Sequence, residues 1–152
     1  MPYAYFLFAL LQTLPLPGAA KHLAVFASTS APAAAPSTKV SLNLDLTPNP
    51  GIHVYAPGAK DYMPISLKLD PPRGVTASPL RYPKSQTMTF EGQKIPVYDK
   101  PFRLVQVVTL DSSLKSGDTI TVTGTLNYQA CNEEVCFIPA SVPVRWTIDV
   151  AK

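Results

Sequence analysis

A chain of 152 residues is one domain's worth, and a mature part of about 115–130 residues can bury a single core. Hydrophobic residues at 46% against 15% charged exclude a disordered chain, while 17 prolines and 7 glycines call for many turns and few helices. The formal charge of +3 comes from Lys and Arg scattered singly, so the sequence offers no footing for nucleic acid or an anionic membrane as partner.

The chain starts with an apolar run, Tyr3 to Leu11, which Pro15 and Pro17 interrupt before it could span a bilayer as one helix. Gly18-Ala19-Ala20 supplies the small residues of a signal-peptide cleavage site, although no Lys or Arg precedes the run. Residues 1–20 are therefore expected to be an export signal, with an uncleaved membrane anchor as the alternative. No cysteine follows the run, which excludes a lipoprotein anchor. Export would place the cysteines where disulfides persist. Residues 21–37, rich in Ala, Pro and Ser, are expected to form a tether without structure, and Ala35 offers a second cleavage point.

From residue 38 to the end the pattern has period two. Val40, Leu42, Leu44 and Leu46 alternate with polar residues, and Pro48-Asn49-Pro50-Gly51 turns the chain. Ile52-His53-Val54-Tyr55 is a second short strand, and Ile65, Leu67 and Leu69 mark a third. Pro71-Pro72-Arg73-Gly74 is a turn, with Val75–Ala77 as a brief strand after it. Residues 84–100 look the least regular, with Phe90 at the tip of a polar loop beside Glu91 and Gly92. A strand runs from Phe102 to Leu110. Ile120 to Tyr128 alternate most clearly, Gly124 being the weak point, and Val142 to Val150 alternate again with Pro143 marking an edge strand. About seven to nine short strands without an amphipathic helix predict an all-β, immunoglobulin-like antiparallel β-sandwich.

Between the last two strands lie the only two cysteines, Cys131 and Cys136, in a C-x4-C loop flanked by Tyr128 and Pro139. They are too close in sequence to pin two sheets together. As a staple so short a loop contributes only about 2 kcal/mol. Spacing alone leaves three readings open: a structural disulfide, a redox pair, or a metal site. The last would need both thiolates with His53, or with Met63 and Met88, around copper(I). Zinc is a poorer fit, since His22 lies in the tether and four ligands are hard to find.

The stretch Tyr128-Gln129-Ala130-Cys131, four residues, Cys136, a hydrophobic pair and Pro139 resembles the active-site loop of one family, the N-terminal periplasmic domain of the thiol–disulfide reductase DsbD. Pro50-Gly51-Ile52-His53-Val54-Tyr55, Tyr82-Pro83-Lys84, Phe90-Glu91-Gly92 and Val97-Tyr98 follow the family's order, so the resemblance covers about residues 38–150. It implies an immunoglobulin-like domain that accepts electrons from a thioredoxin-like donor. It passes them to periplasmic disulfide-bearing clients through mixed disulfides and needs no cofactor or metal. Cys136 would be the exchanging thiol and Cys131 its partner. Phe90, with Glu91 and Gly92, would form a cap over the pair, and His53, Tyr55 and Tyr128 would line the site.

Two departures stand out. Some members carry one more residue between the cysteines. The membrane-spanning and thioredoxin-like parts of the full reductase do not follow Lys152, so the expectation is either a stand-alone exported carrier or one part of a split system with a separate membrane reductase subunit; alone it could not move electrons across a membrane. Glu133 and Glu134 sit between the cysteines, and their charge disfavours a thiolate. A pair so placed prefers the disulfide and gives its electrons away.

Overall fold

The computed structural model describes residues 20–152, so all but the last residue of the expected export signal lies outside it. The described chain forms β1 (Leu23–Thr29), β2 (Ala33–Ala34), β3 (Lys39–Pro48), β4 (His53–Tyr55), β5 (Ser66–Asp70) and β6 (Val75–Ala77). It continues with β7 (Gln86–Phe90), β8 (Gln93–Tyr98), β9 (Phe102–Leu110), β10 (Thr119–Tyr128), β11 (Ala130–Cys131) and β12 (Ala140–Val150). The expected all-β fold is present. Its strands number twelve, more than expected, and they form three sheets of four.

Two sheets, ordered β1-β3-β9-β6 and β2-β12-β10-β5, make the sandwich. Alternate residues of β3 (Val40, Leu42, Leu44, Leu46) and of β12 (Val142, Val144, Trp146, Ile148, Val150) are buried in one common core. The Trp146 indole donates across the sandwich to the Asn43 carbonyl at 3.0 Å, so the largest core side chain leaves no polar atom unpaired. Gly124 is a requirement of the packing. A Cβ there would come within 2.9 Å of the Lys68 carbonyl oxygen on β5.

The tether reading of residues 21–37 is corrected. β1 pairs with β3 along its whole length, and β2 pairs in parallel with the end of β12. Leu23 is buried, and Val25 and Ala27 pack on the core as its alternate positions. Ala24 and Phe26, apolar and facing the other way, hid that period. The edge expected at Pro143 holds only locally. β12 has β10 on one side, and on the other β2 reaches only Asp149 and Val150.

The third sheet, β11-β4-β8-β7, positions the cysteines. All three residues of β4 are buried because both faces of this sheet are covered. Val54, Tyr98 and Ala130, neighbours across three strands, join the main core. Tyr55, Ile95, Val97 and Cys131 form a second, smaller cluster on the opposite face, with Ala59, Tyr62 and Met88 packed against it. Residues 84–100, expected to be irregular, contain a regular hairpin of β7 and β8 turned at Glu91-Gly92. Both turn residues have positive φ (48° and 78°), the geometry a two-residue hairpin turn requires.

Candidate functional site

Cys131 and Cys136 are joined in a disulfide with Cα atoms 4.0 Å apart. The loop between them is held by its own backbone and one side chain. Asn132 Oδ1 accepts from the Glu134 and Val135 amides at 2.8 and 2.7 Å, and the Asn132 amide donates to the Val135 carbonyl at 2.9 Å. Beyond the bond the Phe137 amide donates to the Ala130 carbonyl at 2.9 Å, so the strands leave the loop paired. An asparagine whose side chain bonds the backbone two and three residues on is a turn former in its own right. That local chemistry fixes where Cys136 stands.

The two sulfurs have opposite surroundings. Cys131 is 1% exposed and sits inside the small cluster, whereas Cys136 is exposed on the loop. Cys136 opens into a groove of about 480 Å³ between the loop and the β7–β8 hairpin. His53, Tyr55, Tyr62, Met88 and Phe90 form one wall, and Glu133 and Glu134 stand on the loop side. The Tyr55 hydroxyl lies 3.5 Å from Cys136 Sγ. Burial, and secondarily the neighbouring Tyr62, push the Tyr55 phenol above its ordinary pKa, so it stays a neutral O–H group at neutral pH. Tyr62 stacks on Tyr55 at 4.2 Å between centroids, and His53 meets the same ring edge-on at 5.4 Å.

The structure therefore brings together Cys131, Cys136, His53, Tyr55 and Phe90. Phe90 is 48% exposed at the end of β7 and flanks the groove without closing it over Cys136. Glu91 and Gly92 form the hairpin turn beyond it. Tyr128 lies elsewhere. Its hydroxyl donates to the Lys21 carbonyl at 2.7 Å and accepts from the Lys21 amide at 2.9 Å, in a separate groove behind the loop. His22 stacks on Phe137 at 3.9 Å on that same side, so both contacts clamp the start of β1 to the loop's exit. Sequence reasoning missed Asn132 and Tyr62. Asn followed by two acidic residues in a tight cysteine loop was a readable turn signal; nothing marked Tyr62. Among the described residues no group of three or more His, Cys, Asp or Glu side chains is placed to hold a metal ion.

The family described as "Thiol:disulfide interchange protein DsbD, N-terminal" matches residues 22–145. The chain belongs to this DsbD N-terminal family. No curated protein matches it. Among solved structures it is similar to the N-terminal periplasmic domain of ScsB from Proteus mirabilis, with 17% identity and a TM-score of 0.57. That similarity covers 90% of this chain and 49% of the ScsB chain, and it shows a shared fold. The DsbD N-terminal domain of Neisseria meningitidis in its reduced form is 18% identical over 74% of this chain and 78% of its own, with a TM-score of 0.45. The family match begins at residue 22, beside the first residue of β1, in keeping with the strand found there.

Proposed function

We propose that this domain is an exported electron carrier working by thiol–disulfide exchange, with Cys136 as the attacked and attacking sulfur. The observation that carries the reading is the asymmetry of the pair: Cys136 is exposed in a groove, while Cys131 is 1% exposed behind it. A staple needs no such difference. A thioredoxin-like donor's thiolate attacks Cys136 Sγ, the Cys131–Cys136 bond breaks, and Cys131 leaves with the electron pair. The donor's second thiol then frees Cys136, and two electrons have moved. In the outward half, the Cys136 thiolate attacks a disulfide on a periplasmic client. Cys131 then attacks Cys136 Sγ, restoring the disulfide and releasing the reduced client.

The groove supports a reducing direction. Glu133 and Glu134 line it, and Lys84, Lys94 and Arg145 do not. Negative charge beside Cys136 disfavours the thiolate form and so favours the disulfide. Phe90 narrows the approach to Cys136 and swings aside on docking. Electrons reach the donor from a membrane reductase subunit, residues 1–20 serve as the export signal, and residues 21–152 form the working domain. Trapping tests the reading. Cys131→Ser, expressed in the periplasm, should accumulate clients bound covalently through Cys136 and released by a thiol reductant. If nothing is captured, and the double Cys→Ser variant loses only stability, the disulfide is a staple.

A further inference from the structure

Among the described residues one buried side-chain polar atom has no hydrogen-bond partner, His53 Nε2. Leaving such an atom unpaired costs about 1–3 kcal/mol, and His53 is only 8% exposed. Its position suggests what completes it. Strand register sets His53 directly across from Cys131. Opposed residues on antiparallel strands hold their side chains on one face, with Cβ atoms about 4.5–5.5 Å apart. Two residues on, Tyr55 shares that face, edge-on to the imidazole and with its hydroxyl at Cys136 Sγ. In the disulfide, Cys131 has no proton to offer. Reduction gives it an S–H in a place where water cannot solvate a thiolate.

We propose that His53 accepts a hydrogen bond from the Cys131 thiol in the dithiol form and takes its proton when Cys131 resolves a mixed disulfide. This rests on the exchange reading above and adds a proton path to it. In the resolving step the Cys131 S–H proton passes to His53 Nε2, and the sulfur's electron pair forms the bond to Cys136 Sγ. The Cys136–client bond breaks, and the client sulfur leaves as a thiolate. The imidazolium then returns its proton to that thiolate or to water, and the site ends as the disulfide with a neutral His53. Burial, only partly opposed by the Asp99 charge, lowers the imidazole pKa, so the base is free at neutral pH. The other titratable groups lining the groove are Tyr55, Tyr62, Glu133 and Glu134, and Lys94 stands across from the groove-lining Thr89 on the next strand.

Capture by dithiobis(nitrobenzoate) separates the two sulfurs without needing the client. The reduced protein releases one thionitrobenzoate as Cys136 is captured and a second as Cys131 displaces the adduct. His53→Phe should slow the second release on the order of 100-fold at neutral pH, far more than it changes the first. His53→Gln, polar but not basic, should do the same. In the native protein the second release should lose rate on acidification through the His53 titration, and both variants should lack that step. A second release of native speed in both variants overturns the proposal. So does a His53 imidazole resonance with the same position and titration in the disulfide and dithiol forms of the unaltered protein. Absence of the first release as well would sink the exchange reading itself, a different failure that takes the proposal with it.

Discussion

At the scale of single residues, the site works by contrast between neighbours. Tyr55 is the clearest case: its hydroxyl touches Cys136 Sγ, and burial keeps it protonated. In the dithiol form it can donate to a Cys136 thiolate. Hydrogen bonds to charged groups contribute about 1.5–3 kcal/mol, and because Cys136 is exposed, water competes and the lower end applies. Tyr55→Phe is therefore expected to slow alkylation of reduced Cys136 about tenfold at neutral pH; an unchanged rate against pH would remove the contact from the mechanism. His53 makes a stability prediction as well. Its folded pKa lies below the ordinary value of 6.5, mainly through desolvation. Its contribution is complete above that unfolded value and is lost as pH falls through the lowered folded one. Denaturation midpoints should drop on mild acidification, and His53→Phe should flatten that slope. Which residues would face the sulfurs was partly readable, since His53 and Tyr55 stood at matching motif positions. Tyr128 stood in the motif too, yet its side chain points behind the loop, because neighbours along a strand alternate faces.

At the scale of elements, the β7–β8 hairpin and the cysteine loop make the two lips of the groove. The hairpin holds a cost that can be relieved. Glu91 occupies a left-handed conformation at φ 48°, where a side chain other than Gly, Asn or Asp costs roughly 1–2 kcal/mol. Glu91→Gly should raise stability by about 1 kcal/mol in urea unfolding, while Gly92→Ala, at φ 78°, should lower it by a similar amount. Phe90→Ala leaves this turn intact and should speed oxidation of the reduced pair by small oxidants. Equal rates would mean that Phe90 does not shield Cys136. On β10, Gly124→Ala should cost about 1–3 kcal/mol through the clash with the Lys68 carbonyl. The long strands were legible because their two faces differ in polarity. The hairpin was not, because Gln86–Phe90 has mostly exposed or half-exposed positions and no buried face to impose a period. β4 was read only as a short strand. Its three consecutive buried residues carry no alternation to say that each face serves a different cluster.

At the scale of the whole molecule, the sandwich holds the loop from behind and the N-terminal strand completes the sandwich. Leu23 is buried and β1 pairs through seven positions of β3. Removing it strips one edge of the sheet. A chain starting at Pro36 should be less stable than one starting at Lys21 by about 2 kcal/mol or more, from the burial of Leu23 alone. If residues 1–20 are removed on export as proposed, N-terminal sequencing of the mature protein should find a start near residue 21, and a start at Pro36 with unchanged stability would contradict this. The domain's class was legible from period-two patterning and turns. Its third sheet was not, because two of its three pairings, β11 with β4 and β4 with β8, join short segments far apart in sequence. With Cys131 buried and Cys136 exposed in a single groove, the proposed exchange would bring donor and client to the same sulfur at the same place. On that mechanism they are never held together, and turnover is ping-pong, each partner an inhibitor of the other's visit. Spent, oxidised donor in excess should compete with the client for the reduced domain. The flow of electrons is then set by the relative abundance and redox state of the two partners as much as by the chemistry of the pair.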